Sequence, residues 1–166
     1  SATDTLVSTM QAYKIGVDDV QRTVMDNINA IGNSMATTNE EIGEMLQRSS
    51  AAMKAANNSL EETIALESAA VEITRNAETT GTAFRTISMR IRGYDEETEE
   101  LSNDLENISG DIYDLTKVNG KGISIFTDET RTEYKSTYEI LKEIAGIWDE
   151  LTDKQQADLL EKLGGK

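Results

Sequence analysis

Ser59-Leu-Glu-Glu-Thr-Ile-Ala-Leu-Glu-Ser-Ala-Ala-Val-Glu-Ile73 decides the fold class. A hydroxyl residue stands first and a glutamate, Glu62, follows three positions later. In that order the Ser59 hydroxyl accepts from a free backbone N–H of the first helical turn, while the Glu62 carboxylate reaches back to the N–H of Ser59. Leu60, Ile64, Leu66, Val71 and Ile73 then form an apolar stripe at helical spacing. The same pattern occurs twice more. Thr38-Asn-Glu-Glu41 precedes Ile42, Met45, Leu46 and Met53, and Thr152-Asp-Lys-Gln155 precedes Ala157, Leu159, Leu160 and Leu163. The chain has no proline, where ordinary usage of about 5% would supply roughly eight. Proline breaks helix interiors, so its absence fits long helices with simple connections. Three caps, each ahead of a stripe, predict an all-α multi-helix bundle of about six to eight helices.

Working outward toward the N-terminus, Leu6, Met10 and Tyr13 place a helix over about Thr3 to Tyr13, and Lys14-Ile15-Gly16 reads as a turn. Val17, Val20, Val24, Ile28, Ile31 and Met35 are spaced by three or four, giving a second helix over about Asp18 to Asn33. Behind Thr38 comes a patch of small residues, Ser49, Ser50, Ala51, Ala52, Ala55 and Ala56, which suits a close helix–helix contact.

Toward the C-terminus, Leu101, Leu105, Ile108, Ile112 and Leu115 follow a 4-3-4-3 spacing on a helix expected from Asp95 to Thr116. This is a coiled-coil seam of only about two heptads. The flanking Ser102, Asp104, Ser109 and Asp111 offer no opposite charges across a dimer, which favours packing within the chain. Gly110 is a candidate kink or end. Lys117-Val-Asn-Gly-Lys-Gly122 reads as a turn, with Asn119-Gly120 a hairpin signal. A short extended or hairpin segment is therefore expected near 117–126, and the only strand-like geometry near Ile123 to Phe126. A long helix over about Thr130 to Glu150 carries Tyr134, Tyr138, Leu141, Ile144, Ile147, Trp148 and Leu151. Two parts emerge, a helical part over 1–93 and a second over 94–166 with seam, loop and aromatic helix. They read as one continuous module excised from a longer chain.

Composition excludes several chemistries. There are no cysteines and no histidines among the 166 residues. Disulfide and thiolate chemistry are therefore absent, as are the usual general base and the commonest transition-metal ligand. Asp111 to Gly120 fails as a calcium loop, because Leu115 and Lys117 stand where oxygen ligands belong. Asp18 and Asp19 are first-turn acids favoured by the helix dipole. Carboxylates are abundant, but none sits in a catalytic setting. The reading is no enzyme, no metal and no cofactor. The net charge is −15, which repels nucleic acid phosphate and anionic lipid, so no direct nucleic acid binding is expected. No apolar run approaches the ~20 residues of a membrane span, and no signal peptide opens the chain.

The candidate interaction residues fall in three groups. Arg85, Arg90 and Arg92, with Arg75, are the only basic concentration. Phosphate binding is one reading of them. Ion pairs across a corner at Gly93, with the acids from Asp95 to Glu106, are the favoured one. Trp148, with Ile147, Leu151 and Tyr138, belongs to the most aromatic surface. It reads as core, with a subunit anchor as the alternative, since tryptophan is over-represented in binding hot spots. Leu101, Leu105 and Ile108 are the seam.

Two blocks carry a family resemblance. Gly81-Thr-Ala-Phe-Arg-Thr-Ile-Ser-Met-Arg-Ile-Arg-Gly93 and Tyr134-Lys-Ser-Thr-Tyr-Glu-Ile-Leu-Lys-Glu-Ile144, continuing through Trp148-Asp-Glu-Leu-Thr-Asp-Lys-Gln-Gln-Ala-Asp-Leu-Leu-Glu-Lys-Leu163, resemble the core region of phage tail tape measure proteins. Asp4 to Tyr13 and Gly43 to Ala52 are similar to the same family, and Tyr94 to Thr132 is the least similar part. The resemblance implies a structural virion protein, made in the host cytoplasm and housed inside the tail tube. It implies roles in setting tube length, in tail assembly and in viral genome ejection. The implied partners are further copies of itself, tail tube and tail tip proteins and a tail assembly chaperone. A helical interaction module of a prophage-derived tail-like or secretion machine is the alternative. A helix advances ~1.5 Å per residue, so drawn out as a single helix the chain would span about 250 Å. Its glycines, caps and separate stripes predict a folded module instead.

Overall fold

The helix announced at Ser59 forms, capped on both sides of the box. The Ser59 hydroxyl accepts from Glu62 N–H at 3.0 Å, and Glu62 Oε1 accepts from Ser59 N–H at 3.1 Å. The computed structural model describes residues 2–11, 39–95, 100–101 and 105–165. Within them lie seven α-helices. They are α1 (2–11), α2 (Asn39–Ala55), α3 (Leu60–Thr74), α4 (Ala77–Ile91), α5 (Leu105–Leu115), α6 (Thr137–Ile147) and α7 (Asp153–Gly164). A 3-10 turn, Trp148–Glu150, extends α6. The expected turn at Lys14, the helix over Asp18 to Asn33 and the cap at Thr38 lie outside the described residues.

The all-α bundle expected from the caps is the observed architecture. Its centre is α3, buried without interruption from Thr63 to Val71. A helix with one covered face would alternate with solvent every turn. Here α2, α4 and α6 pack around α3, so the stripe widens to a full circumference. At its end Arg75 adopts a left-handed φ of 56° and its N–H returns to Val71 O. Asn76 then caps α4 by accepting from Thr79 N–H at 2.9 Å. Two residues thus reverse the chain into an antiparallel helix pair.

Gly81, in mid-helix, explains how closely α2 and α4 approach. A Cβ there would lie 2.8 Å from Met45 O and 2.9 Å from Met45 Cα. No other residue fits without parting the two backbones. The small-residue patch on α2 contributes only in part: Ser49 and Ala56 are buried, while Ser50, Ala51 and Ala55 face solvent.

Four expectations are corrected in the C-terminal half. The seam helix starts at Leu105, not Asp95. Residues Tyr94–Asp95 and Glu100–Leu101 form a two-residue antiparallel ladder, with Tyr94 opposite Leu101. Leu101 is therefore a strand residue, and the ladder is strand geometry away from Ile123–Phe126. Within α5, Gly110 does not end the helix, which continues to Leu115. Finally, the aromatic helix begins at Thr137, capped by Ser136 accepting from Glu139 N–H at 3.1 Å. Tyr134 thus lies before it. The hairpin signal at Asn119-Gly120 does hold: both residues have positive φ (53° and 81°), and Val118 and Lys121 exchange backbone bonds of 3.0 and 3.1 Å.

α7 closes the bundle. Gln155 completes its capping box, accepting from Thr152 N–H at 2.9 Å, and donates across to Lys117 O at 3.1 Å. At its other end the Thr3 hydroxyl of α1 donates to Gly165 O at 3.0 Å.

Candidate interaction surface

The side chains with most to offer a partner are assembled by the loop between α5 and α6. Phe126 and Tyr134 face each other across an isolated antiparallel bridge, pinned by Thr127 N–H to Glu133 O and Lys135 N–H to Ile125 O, both 2.9 Å. Their rings stack at 5.0 Å and 29°. Arg92, from the end of α4, lies 3.8 Å above the Tyr134 ring, and Arg131 lies 5.0 Å from Phe126. The result is a four-layer stack, cation–ring–ring–cation, which joins α4 to the loop. Arg131 is held at a left-handed φ of 55° and donates to Ser109 Oγ of α5 at 2.8 Å. Burial pushes the Arg92 guanidinium below its ordinary value, and the neighbouring Tyr134 partly restores it; it remains a cation at physiological pH.

Beside the stack runs an open groove of ≈ 1200 Å³ between α5, the 118–131 loop and the end of α6. Tyr113, Ile123, Phe126 and Ile147 supply its apolar surface, and Lys135 and Glu143 line its edge. Those two form an ion pair at 2.9 Å. Glu139, on the same helix, has its carboxyl raised by burial and by the acids Glu62, Glu143 and Glu133.

The structure does not gather the sequence candidates into one site. Tyr138 and Leu151 are core, while Ile147 and Trp148 are half-buried against it. Trp148 O accepts from Gln156 Nε2 at 2.8 Å. Arg85 is exposed. Arg90 donates to Lys162 O at 3.1 Å and Glu161 O at 3.4 Å, serving the carboxyl end of α7, where a cation complements the helix dipole. Ile108 is half-buried against the core. Leu105 opens α5, and Leu101 ends the second strand of the two-residue ladder. The ion-pair reading at Gly93 rests on acids whose side chains lie outside the description. For Arg90 and Arg92 the observed partners are a helix end and an aromatic ring.

Two features went unread in the sequence. The first is a buried polar network that ties α2, α4 and α6. Asn58 donates to Met53 O at 2.9 Å and Thr137 Oγ1 at 3.1 Å, and accepts from Tyr138 N–H at 2.9 Å. The Ser88 hydroxyl bonds that of Thr137 at 2.9 Å. The second is Glu67, whose relative exposure is 0%. Burial pushes its carboxyl from 4.5 up to about 8. Ser49 opposes the shift, but its proton is already donated to Met45 O at 2.8 Å, and among the described residues neither Glu67 oxygen receives a hydrogen bond. One signal was available: Leu60, Ile64, Glu67 and Val71 share a helix face.

Among the described residues, no group of three or more His, Cys, Asp or Glu could hold a metal ion. No helix among them is long and apolar enough to cross a membrane. In comparison with known proteins, a family model described as phage-related minor tail protein matches residues 1–165. No curated protein and no solved structure matches.

Proposed function

We propose a role that proceeds from one premise: the chain belongs to the phage-related minor tail protein family. It acts as a folded helical module of a tail length-determining protein, carried inside the tail tube and contributing to tail assembly and genome delivery. The observation that carries this reading is the family match across 1–165, joined to the likeness of the Gly81–Gly93 and Tyr134–Leu163 blocks to tape measure proteins. Tail components are its partners, with the tube, the tip and an assembly chaperone as candidates beside other copies of itself. The role is structural rather than catalytic. Packing of α3 inside three other helices supports a module that contributes its fold, not its contour length.

The test is an in-frame deletion of 120–166 in the phage gene, with tails measured by electron microscopy. Abolished or misdirected assembly is expected. Virions with tails shortened by ~1.5 Å per deleted residue would overturn the module reading. Tails of normal length and full infectivity would remove this segment from assembly altogether.

A further inference from the structure

Glu67 is the only charged residue in the buried set among the described residues. It sits midway along α3, in the run buried from Thr63 to Val71. Helices α2, α4 and α6 pack against α3, and their charged groups stay toward solvent. On α2, Glu40, Glu44, Arg48 and Lys54 are exposed and Glu41 half-buried; on α4, Glu78 and Arg85 are exposed and Arg90 half-buried; on α6, Glu139 and Glu143 are exposed and Lys142 half-buried. On α3 itself, Glu62 is engaged by Ser59 and Ser136, and Glu61 and Glu72 are half-buried. Among the described residues, the only side chain acting on Glu67 is that of Ser49. Among the described residues a carboxylate in such a place finds no cation and no hydrogen bond to replace its hydration, so the neutral acid is the form that fits.

We infer that folding of this bundle is proton-coupled: it closes around Glu67 only as the neutral acid, and ionisation of that one carboxyl loosens α3 from α2, α4 and α6. In the unfolded chain Glu67 is an ordinary, ionised carboxylate at neutral pH, so each molecule takes up one proton on closing. The chain has no histidine and no cysteine, leaving the range between pH 6 and 8 nearly free of other titrating side chains. The sign follows from the raised value. The contribution of the neutral form is complete below the unfolded value of 4.5, falls as pH rises, and is lost above the folded value of about 8,.

The experiment is urea unfolding of the whole chain at fixed ionic strength from pH 5 to 9, for the wild type, Glu67→Gln and Glu139→Gln. The wild-type folding constant should fall roughly 50-fold between pH 6 and 8 for one proton. Glu139→Gln, whose carboxyl is also raised but exposed, should keep that fall, and Glu67→Gln should abolish it. Should Glu67→Gln fail to fold, calorimetry of the wild type in buffers of differing ionisation enthalpy decides: uptake of about one proton on folding at pH 7 supports the coupling. A flat wild-type profile, a fall that persists in Glu67→Gln, or no proton uptake overturns it.

Discussion

At Gly81 a single methyl group separates two opposite outcomes. Alanine is the better helix former by roughly 0.5–1 kcal/mol, so replacement of a mid-helix glycine is expected to stabilise wherever there is room. At Gly110 of α5 a Cβ would meet nothing within 4 Å, and Gly110→Ala should raise stability by about 0.5–1 kcal/mol. At Gly81 the same methyl meets Met45 backbone, and Gly81→Ala should cost about 1–3 kcal/mol by forcing α2 from α4. Urea midpoints of the two variants should move in opposite directions. Trp148 poses a different question at the same scale. It is half-buried against the core, so Trp148→Ala should cost about 2 kcal/mol, less than a fully buried aromatic. A variant that keeps its melting temperature but loses self-association would make Trp148 a subunit anchor instead. The buried carboxyl of Glu67 imposes a standing cost. With a folded value of about 8 against 4.5, the bundle forgoes on the order of 3 kcal/mol at pH 7 relative to acid. Glu67→Met, similar in length and a good helix former, should therefore raise the melting temperature more at pH 8 than at pH 5.

Helix ends were the most legible elements because a cap is a local event, complete within four residues. Ser59 with Glu62 and Thr152 with Gln155 form as read, and Ser59→Ala or Thr152→Ala should each cost about 1 kcal/mol, seen as a lowered thermal midpoint. Glu62 and Gln155 do more than cap, since each also reaches a second element: Ser136 Oγ donates to Glu62 Oε2 at 2.8 Å, and Gln155 Nε2 donates to Lys117 O at 3.1 Å. Glu62→Ala should accordingly cost more than Ser59→Ala. A fourth start signal, Ser136-Thr-Tyr-Glu139, was present but overridden by the four-residue step from Tyr134 to Tyr138. That step mimics a helix turn, while Tyr134 in fact stacks on Phe126. The seam failed similarly: Leu101 to Leu105 is a helical step in sequence but crosses from strand to helix in space. The envelope of α3 was illegible for another reason. Glu67 looks like any surface acid until α2, α4 and α6 are placed around it, and their positions depend on contacts far apart in the chain. The arginine–aromatic stack likewise joins Arg92 to residues some forty positions on, and no local spacing announces it.

At the scale of the whole molecule, the chain belongs to the phage-related minor tail protein family and is a bundle wrapped around one interior helix. A circular dichroism spectrum dominated by helix is expected, with at most a trace of sheet from the two-residue ladder. The contact between Thr3 and Gly165 has a mechanical meaning. The first and last helices of this bundle meet at Thr3 and Gly165, joined at 3.0 Å. Under tension applied through its two ends the module therefore acts as a fastened loop of rope. The load falls first on the clasp between α1 and the end of α7. Until that clasp yields, the module's two ends stay almost together. Unfolding of the whole bundle after it yields can pay out about 550 Å of extended chain. In a single-molecule pulling record this should appear as one low-force release followed by a large gain in length.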